Sequence, residues 1–330
     1  MHRVTLSGCF YVCKTMNPLP SLYLEAPAKI NIFLKVLSKR SDGYHELVSW
    51  MQKLSLYDLI TLHATSANIT LQCPDSSIPE DESNLAFKAA ALFFKETSVE
   101  GGVDIILKKK IPVAAGLGGG SSDAAAVLKG LDEMFSTRLG DETLIGMASR
   151  LGADVPFFVV DDSSCWAAGV GEKLIKREPM ADCWIILVNP GFPVSTKWVF
   201  DNFALTSEAN PDILTRFTES VNASEEQREM LFSTAAGLLQ GTQDAFSVYN
   251  SRFNPDMLHN DLEKVTVNRY PELAELKSRL LNANAIGALM SGSGPTVFGV
   301  FEEKQNAVLC HENLKSEYPG NVFLVKPIRN

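Results

Sequence analysis

The chain has 330 residues, 45% of them apolar and 21% charged, and a formal net charge of −9. That length suggests two domains with ample core, and those proportions are of an ordinary globular protein, not a disordered or fibrous one. The negative balance argues against a nucleic-acid surface, and no apolar run is long enough to span a bilayer.

Residues 1–20 read as a poorly ordered N-terminal extension. Leu6-Ser-Gly-Cys9 has the outline of a lipoprotein cleavage box, but the apolar segment before it is too short for a signal peptide. The six cysteines (Cys9, Cys13, Cys73, Cys165, Cys183 and Cys310) form no C-x-x-C pair and no Cys/His cluster of zinc spacing. They read as reduced thiols of a cytoplasmic protein.

Residues 22–37 predict a strand, a turn at Ala26-Pro27 and a second strand in which Ile30, Ile32, Leu34 and Val36 alternate. Asp42-Gly43 marks a turn, and 46–63 and 69–72 predict further strands. Asn84–Glu96 predicts a helix, with Leu85, Ala89, Leu92 and Phe93 on one side. The strand 103–107 leads through Lys108-Lys-Lys110 into the most informative stretch of the chain, Ile111-Pro-Val-Ala-Ala-Gly-Leu-Gly-Gly-Gly-Ser-Ser-Asp123. The lysine run reads as a solvated strand end.

In that stretch Gly116, Gly118, Gly119 and Gly120 permit positive φ and close approach of a ligand to the backbone. Ser121 or Ser122 offers a cap for the following helix, whose apolar stripe is Ala124, Ala125, Leu128, Leu131 and Phe135. A glycine loop ending on a helix N-terminus presents free N–H groups and a positive dipole end, which is an anion site. The loop lacks the Gly-Lys-Ser/Thr of a Walker A sequence, and Ser121 stands where a dinucleotide fingerprint needs its third glycine.

Asp141–Leu151 predicts a helix capped by Gly152, 153–160 a strand, and 164–174 another. The polar segment 173–179 suggests a boundary near 175, dividing the chain into domains 21–175 and 176–330. The second half opens on the strand Trp184–Val188. Its stretch 201–256 is rich in Ser, Glu, Asn and Gln and predicts helices with loops. A helix over 270–281 introduced by Pro271, strands over 285–290 and 296–301, a helix over 305–318 and a strand over 322–325 complete the order. Such an order suits a small sheet with helices on one face.

Four further positions invite a chemical reading. Lys29, inside an apolar strand, is either a solvent-face lysine or a functional charge. Asp154, between a helix end and a buried-type segment, is either a turn residue or a functional carboxylate. Ser291-Gly-Ser-Gly-Pro-Thr296 is either a plain turn or a second small-residue loop, and His45 either a packed or a working imidazole.

Together, Pro27-Ala-Lys-Ile-Asn31, Pro112–Ser122 and Ser291–Thr296 resemble, in order and spacing, the three motifs of the GHMP small-molecule kinases, from about Leu24 to the C-terminus. Asp42–Leu47, Asn84-Leu85, Leu151–Pro156, Gly169–Glu172 and Asn260–Glu263 resemble the branch that acts on a cytidine-diphosphate-linked methylerythritol in the non-mevalonate isoprenoid route. The resemblance implies an α+β, two-domain GHMP kinase architecture. An N-terminal nucleotide-binding α/β domain would carry a helix layer over its sheet, and the C-terminal domain would be ferredoxin-like.

The resemblance also implies transfer of phosphate from ATP to a substrate hydroxyl, giving the 2-phosphate and ADP. Lys29 and Asp154 would be the catalytic pair, with Asp154 as base and Lys29 as charge stabiliser. Pro112, Val113, Ala114, Ala115, Gly116, Leu117, Gly118, Gly119, Gly120, Ser121 and Ser122 would cradle the triphosphate, and Asn84 and Leu85 would lie near adenine. Asn31 would lie near the acceptor. Tyr44 and His45 would face the cytosine, with Phe200, preferred over Trp198, on its other side. Mg²⁺ would bridge phosphate oxygens and touch Ser122. The partners implied are small molecules, not a membrane or nucleic acid, and a homo-oligomer is compatible with the sequence. The chain departs from the motif at Ala114, where glycine is frequent. The alternative within the family is a mevalonate- or homoserine-type kinase.

Overall fold

Alternation along the first strand sets the architecture. β1 (Ser21–Lys39) directs Ala26 into one apolar core, Ala28, Ile30 and Ile32 into a second, and Leu34 and Val36 into a third. A strand changes the face it shows to a core only where its pairing is irregular. The register against β2 (His45–Thr65) shifts between Pro27 and Ala28, between Asn31 and Phe33, and between Val36 and Ser38. The predicted turn at Ala26-Pro27 is therefore not a turn: the strand continues through an irregularity, because both residues pair with β2.

The structure, a computed structural model, describes residues 20–74, 76, 78–204, 255–318 and 321–329. Apart from Pro20, the predicted extension 1–20 lies outside them, as do Cys9, Cys13 and residues 205–254 of the polar stretch 201–256. The four other cysteines are buried and free.

Two sheets lie face to face. In the first, β3 (Ile69–Gln72), β4 (Gly102–Lys108), β2, β1 and the two-residue β8 (His259–Asn260) follow in that order. The long β2 also pairs with β5 (Ser164–Gly169), and β5 with β6 (Lys173–Lys176). The predicted strand 164–174 is thus a hairpin, turned by Gly169 and Gly171, both at positive φ. In the second sheet the order is β11 (Val322–Val325), β7 (Trp184–Val188), β10 (Val297–Phe301), β9 (Gly287–Met290), all antiparallel. This is the ferredoxin-like order, with α7 (Glu272–Asn282) and α8 (Lys304–Glu317) as its helices.

The cores confirm four layers. Ile30, Trp50, Trp166, Ile185, Leu187, Phe298 and Val300 fill the space between the sheets. α1 (Leu85–Thr97), α2 (Gly119–Phe135) and α3 (Asp141–Leu151) cover the outer face of the first sheet, and α7 and α8 that of the second. In β7, Ile185 and Leu187 face inward and Ile186 and Val188 outward, the period of two expected of a strand buried on both sides.

Two other elements differ from expectation. Residues 155–159, predicted within a strand, form the short helix α4 (Val155–Val159). A wholly apolar five-residue run carries no periodicity to separate the two, and Pro156 suits a helix's first turn. The short helix α6 (Glu263–Arg269) and β8 had no sequence signal strong enough to place them.

Candidate active site

The glycine loop leaves β4 and closes against the sheets before entering α2. Gly118, in the left-handed region at φ 71°, is the residue before the helix, and no side chain caps it. The predicted Ser121 or Ser122 cap is thus replaced by Gly118, because the helix already starts at Gly119. Ser122 N–H is the first to find an intrahelical acceptor, the Gly118 carbonyl at 2.9 Å. The amides before it are left without one, and an uncapped helix start of this kind can accept an anion. Ala114 sits at φ 51°, a conformation that favours glycine and explains why glycine suits this position.

The second small-residue turn holds the loop from the other sheet. Ser291 Oγ donates to the Gly116 carbonyl at 2.9 Å, and Thr296 N–H donates to the Ala115 carbonyl at 3.3 Å. Gly116, at φ 77°, has no room for a side chain: a Cβ there would lie 2.1 Å from the Ser291 carbonyl oxygen. Asn260, from the string 260–263, donates to the Met290 and Gly292 carbonyls at 2.8 Å each and fixes this turn in place.

Lys29 is not on a solvent face. It and Asn31 alternate with Ala28, Ile30 and Ile32, but the loop covers their side of the strand: a Cβ added at Gly118 would lie 3.0 Å from the Lys29 side chain, and Lys29 N–H donates to the Leu117 carbonyl at 2.9 Å. The Lys29 ammonium is buried, 2.6 Å from Asn31 Oδ1 and 3.2 Å from the Asp154 carboxylate. Asn31 Nδ2 donates in turn to Ser49 Oγ at 2.8 Å. Asp154 immediately precedes α4 and its carboxylate is 36% exposed, so it opens onto the cleft while Lys29 backs it from within.

One cleft of about 1200 Å³ brings most of the predicted positions together. Lys29, Asn31, Asp154, Asn84, Leu85, Tyr44, His45, Phe200 and Pro112, Val113, Ala114, Ala115, Gly116, Gly118, Gly119, Gly120 and Ser121 line it. Leu117 and Ser122 do not. Leu117 belongs to the core between the sheets, and Ser122 is buried with its hydroxyl unpartnered. Asn84 caps α1, its Oδ1 accepting from Ala86 N–H at 2.9 Å.

At the far end of the cleft Ser195 caps α5 (Thr196–Asp201), which carries Phe200 onto His45. The two rings stack at 5.0 Å between centroids and 24° between planes. Tyr44 is exposed beside them, held by the turn in which Asp42 accepts its N–H at 3.1 Å. Burial, with help from Lys39, lowers the His45 pKa against the opposing pull of Asp201, so the imidazole is neutral at physiological pH.

The lysine run is the largest departure from expectation at the site. Lys109 is not solvated: it is buried between the carboxylates of Asp58 and Asp123 and donates to both. Burial opposes its charge, but the two carboxylates outweigh burial and raise its pKa. Burial pushes the Asp123 carboxyl up, against the pull of Lys109. Asp58 and Ser49 also escaped the sequence reading, and Asn260 entered it only through the string 260–263, without a role. Only the fold brings Asp58 to Lys109, through the pairing of Leu59 with Lys108.

Residues 84–162 match the family model "GHMP kinases N terminal domain", and residues 234–320 match "GHMP kinases C terminal". A 4-diphosphocytidyl-2-C-methyl-D-erythritol kinase of Syntrophotalea carbinolica is 44% identical over 92% of this chain and 98% of its own length. One of Geobacter metallireducens is 42% identical over 88% and 92%. A crystal structure of 4-(cytidine 5'-diphospho)-2C-methyl-D-erythritol kinase superposes with a TM-score of 0.70 at 31% identity, covering 94% of this chain and all of that one. A homoserine kinase from Cytophaga hutchinsonii shares the fold at 18% identity and a TM-score of 0.63. Among the described residues no helix is long and apolar enough to cross a membrane. With both family models matched and relatives of this identity aligned over nearly the whole length, the chain belongs to the GHMP kinase family.

Proposed function

We propose that this chain transfers the γ-phosphoryl group of ATP to a hydroxyl of 4-diphosphocytidyl-2-C-methyl-D-erythritol, giving the 2-phosphate and ADP. The relatives' names supply the substrate. The observation that carries the reading is the Lys29–Asp154 pair at 3.2 Å, facing an uncapped glycine-rich helix start across one cleft.

Phosphoryl transfer asks a protein for alignment and charge stabilisation more than for covalent chemistry. The amides at the start of α2 hold the triphosphate. The acceptor oxygen attacks the γ-phosphorus, the bond to the bridging oxygen breaks with its electron pair leaving on ADP, and Asp154 receives the hydroxyl proton. Lys29 holds the Asp154 carboxylate in place and faces the charge that gathers on the transferred group. Asn31, anchored by Ser49, orients Lys29 and lies beside the acceptor.

Among the described residues no group of three or more His, Cys, Asp or Glu side chains is placed to cage a metal. That suits Mg²⁺, which keeps waters and relies on phosphate oxygens with one or two protein ligands. The Ser122 hydroxyl, unpartnered at the helix start but buried behind the cleft lining, would have to turn toward the phosphates to serve as such a ligand. Mg²⁺ when bound neutralises phosphate charge.

Tyr44, His45 and Phe200 form the cytosine end. A flat base against aromatic rings buries much apolar area, and a neutral imidazole offers one donor and one acceptor to its edge. Purified protein with Mg-ATP is expected to release ADP only when the cytidylylated methylerythritol is supplied, in a panel that includes mevalonate and homoserine. Asp154→Asn is expected to abolish turnover while ATP still binds. Equal turnover with mevalonate, or normal turnover in that variant, overturns the proposal.

A further inference from the structure

The chemistry above makes no use of a second cluster of buried charges beside the cleft. Asp58 is fully buried, and one of its oxygens accepts the N–H groups of Lys110 at 2.6 Å and Ile111 at 2.9 Å, the residues that lead into the glycine loop. Its other oxygen accepts from the Lys109 ammonium. The same ammonium donates at 2.7 Å to Asp123 Oδ2, in the first turns of α2, where the loop ends. It also lies against the loop itself: a Cβ added at Gly119 would come within 3.2 Å of it. Asp123 is 2% exposed, and its second oxygen has no partner.

Burying three charges costs several kcal/mol per ion before their mutual attraction is counted, and apolar side chains of similar volume often do as well for stability alone. Apolar burial of the loop's two flanking elements is already supplied by Val103, Ile105 and Leu107 of β4 and by Ala124, Val127 and Leu128 of α2, all in one core. What the charges add is direction. One ammonium ties the loop's entrance, through Asp58, to its exit, through Asp123. The loop between them has four glycines and therefore little stiffness of its own.

We propose that Asp58, Lys109 and Asp123 are positioning residues that hold the two ends of the glycine loop at a fixed separation, so that the amides at the start of α2 stay aimed at the nucleotide's phosphates. This rests on the reading of the loop as the phosphate site. Lys109 and Asp123 reach the wall of the same cleft and Asp58 lies behind it, and their charges are spent on one another and on the loop rather than on the reacting atoms. They act through the loop, on the phosphate-bearing part of the nucleotide and not on its base.

Asp123→Ala tests this, because it cuts the link and leaves Lys109 neutralised by Asp58. Binding of adenosine and of ADP to the full chain is measured by calorimetry, with Mg²⁺ and in EDTA. The expected result is at least a tenfold loss of ADP affinity in both conditions with adenosine affinity held within twofold. KM for ATP rises in parallel and KM for the acceptor does not. Asp123→Asn, which keeps an oxygen for Lys109, is expected to restore ADP binding to within threefold. If wild-type protein binds ADP no better than adenosine, the phosphate-loop reading itself fails. If wild type prefers ADP and Asp123→Ala keeps that preference, or loses adenosine equally, the positioning role alone is overturned. A loss confined to Mg²⁺ makes Asp123 a metal ligand instead and also overturns it. Should Asp123→Ala not fold, the same ratio is read in Asp58→Asn, where an amide nitrogen replaces one accepting oxygen; an unchanged ratio there refutes the proposal.

Discussion

Gly116→Ala is the sharpest perturbation of the junction between the two halves of the site. At φ 77° an alanine sits in the left-handed region, at a cost of about 1–2 kcal/mol. Its Cβ would also meet the Ser291 carbonyl oxygen at 2.1 Å, a distance that real Cβ atoms do not show. Loop and turn must separate by about 1 Å, and a misplacement of that size at an aligned site costs about 100-fold in rate. Separation also weakens the Ser291–Gly116 and Thr296–Ala115 hydrogen bonds, each contributing about 1 kcal/mol. We therefore expect kcat to fall about 100-fold, equivalent to about 2.7 kcal/mol in the barrier, and unfolding free energy to fall by about 3 kcal/mol. Initial rates from ADP release give the first quantity and urea denaturation the second. Turnover within threefold of wild type would refute the claim that the second small-residue turn fixes the phosphate loop.

Phe200→Ala is expected to raise KM for the cytidylylated acceptor about 10-fold or more, as loss of a stacked ring would, while KM for ATP stays within twofold. Initial-rate titrations of each substrate decide it, and equal effects on both would remove Phe200 from the cytosine end. Burial holds the Lys53 ammonium down to about 8 from its ordinary 10.5, so the unfolded chain keeps a proton that the folded chain has lost between those values. Stability relative to Lys53→Met should therefore climb by up to about 3 kcal/mol from pH 8 to 10.5 and stay level below pH 7, as measured by denaturation at each pH.

Where one residue type carries its own geometric demand, the sequence was sufficient. The glycines 116–120 lead into a helix as predicted, and the helix Asp141–Leu151 and the strands Trp184–Val188 and Val322–Val325 match the periodicity that predicted them. The helix 155–159 was illegible for the opposite reason: Val, Pro, Phe, Phe and Val are all buried, and uniform burial erases the period that separates strand from helix.

Charge gave the hardest positions, and Lys29 and Lys109 fail in the same way. A lysine in an alternating strand or at a strand end is expected to face water, since solvation of an ammonium outweighs any local preference. Both are buried because carboxylates from distant parts of the chain meet them: Asp154 comes 125 positions later, Asp58 arrives through a strand pairing and Asp123 from the next helix. Such a pairing has no local signature. Lys29 could be placed only by the resemblance of its surrounding motif. Lys109, flanked by two other lysines and carrying no motif role, could not be placed at all, although its neutralisation is as complete. A buried lysine with two partners at a loop's two ends is therefore information that only the fold holds, and it is where a test of the site should look beyond its motifs.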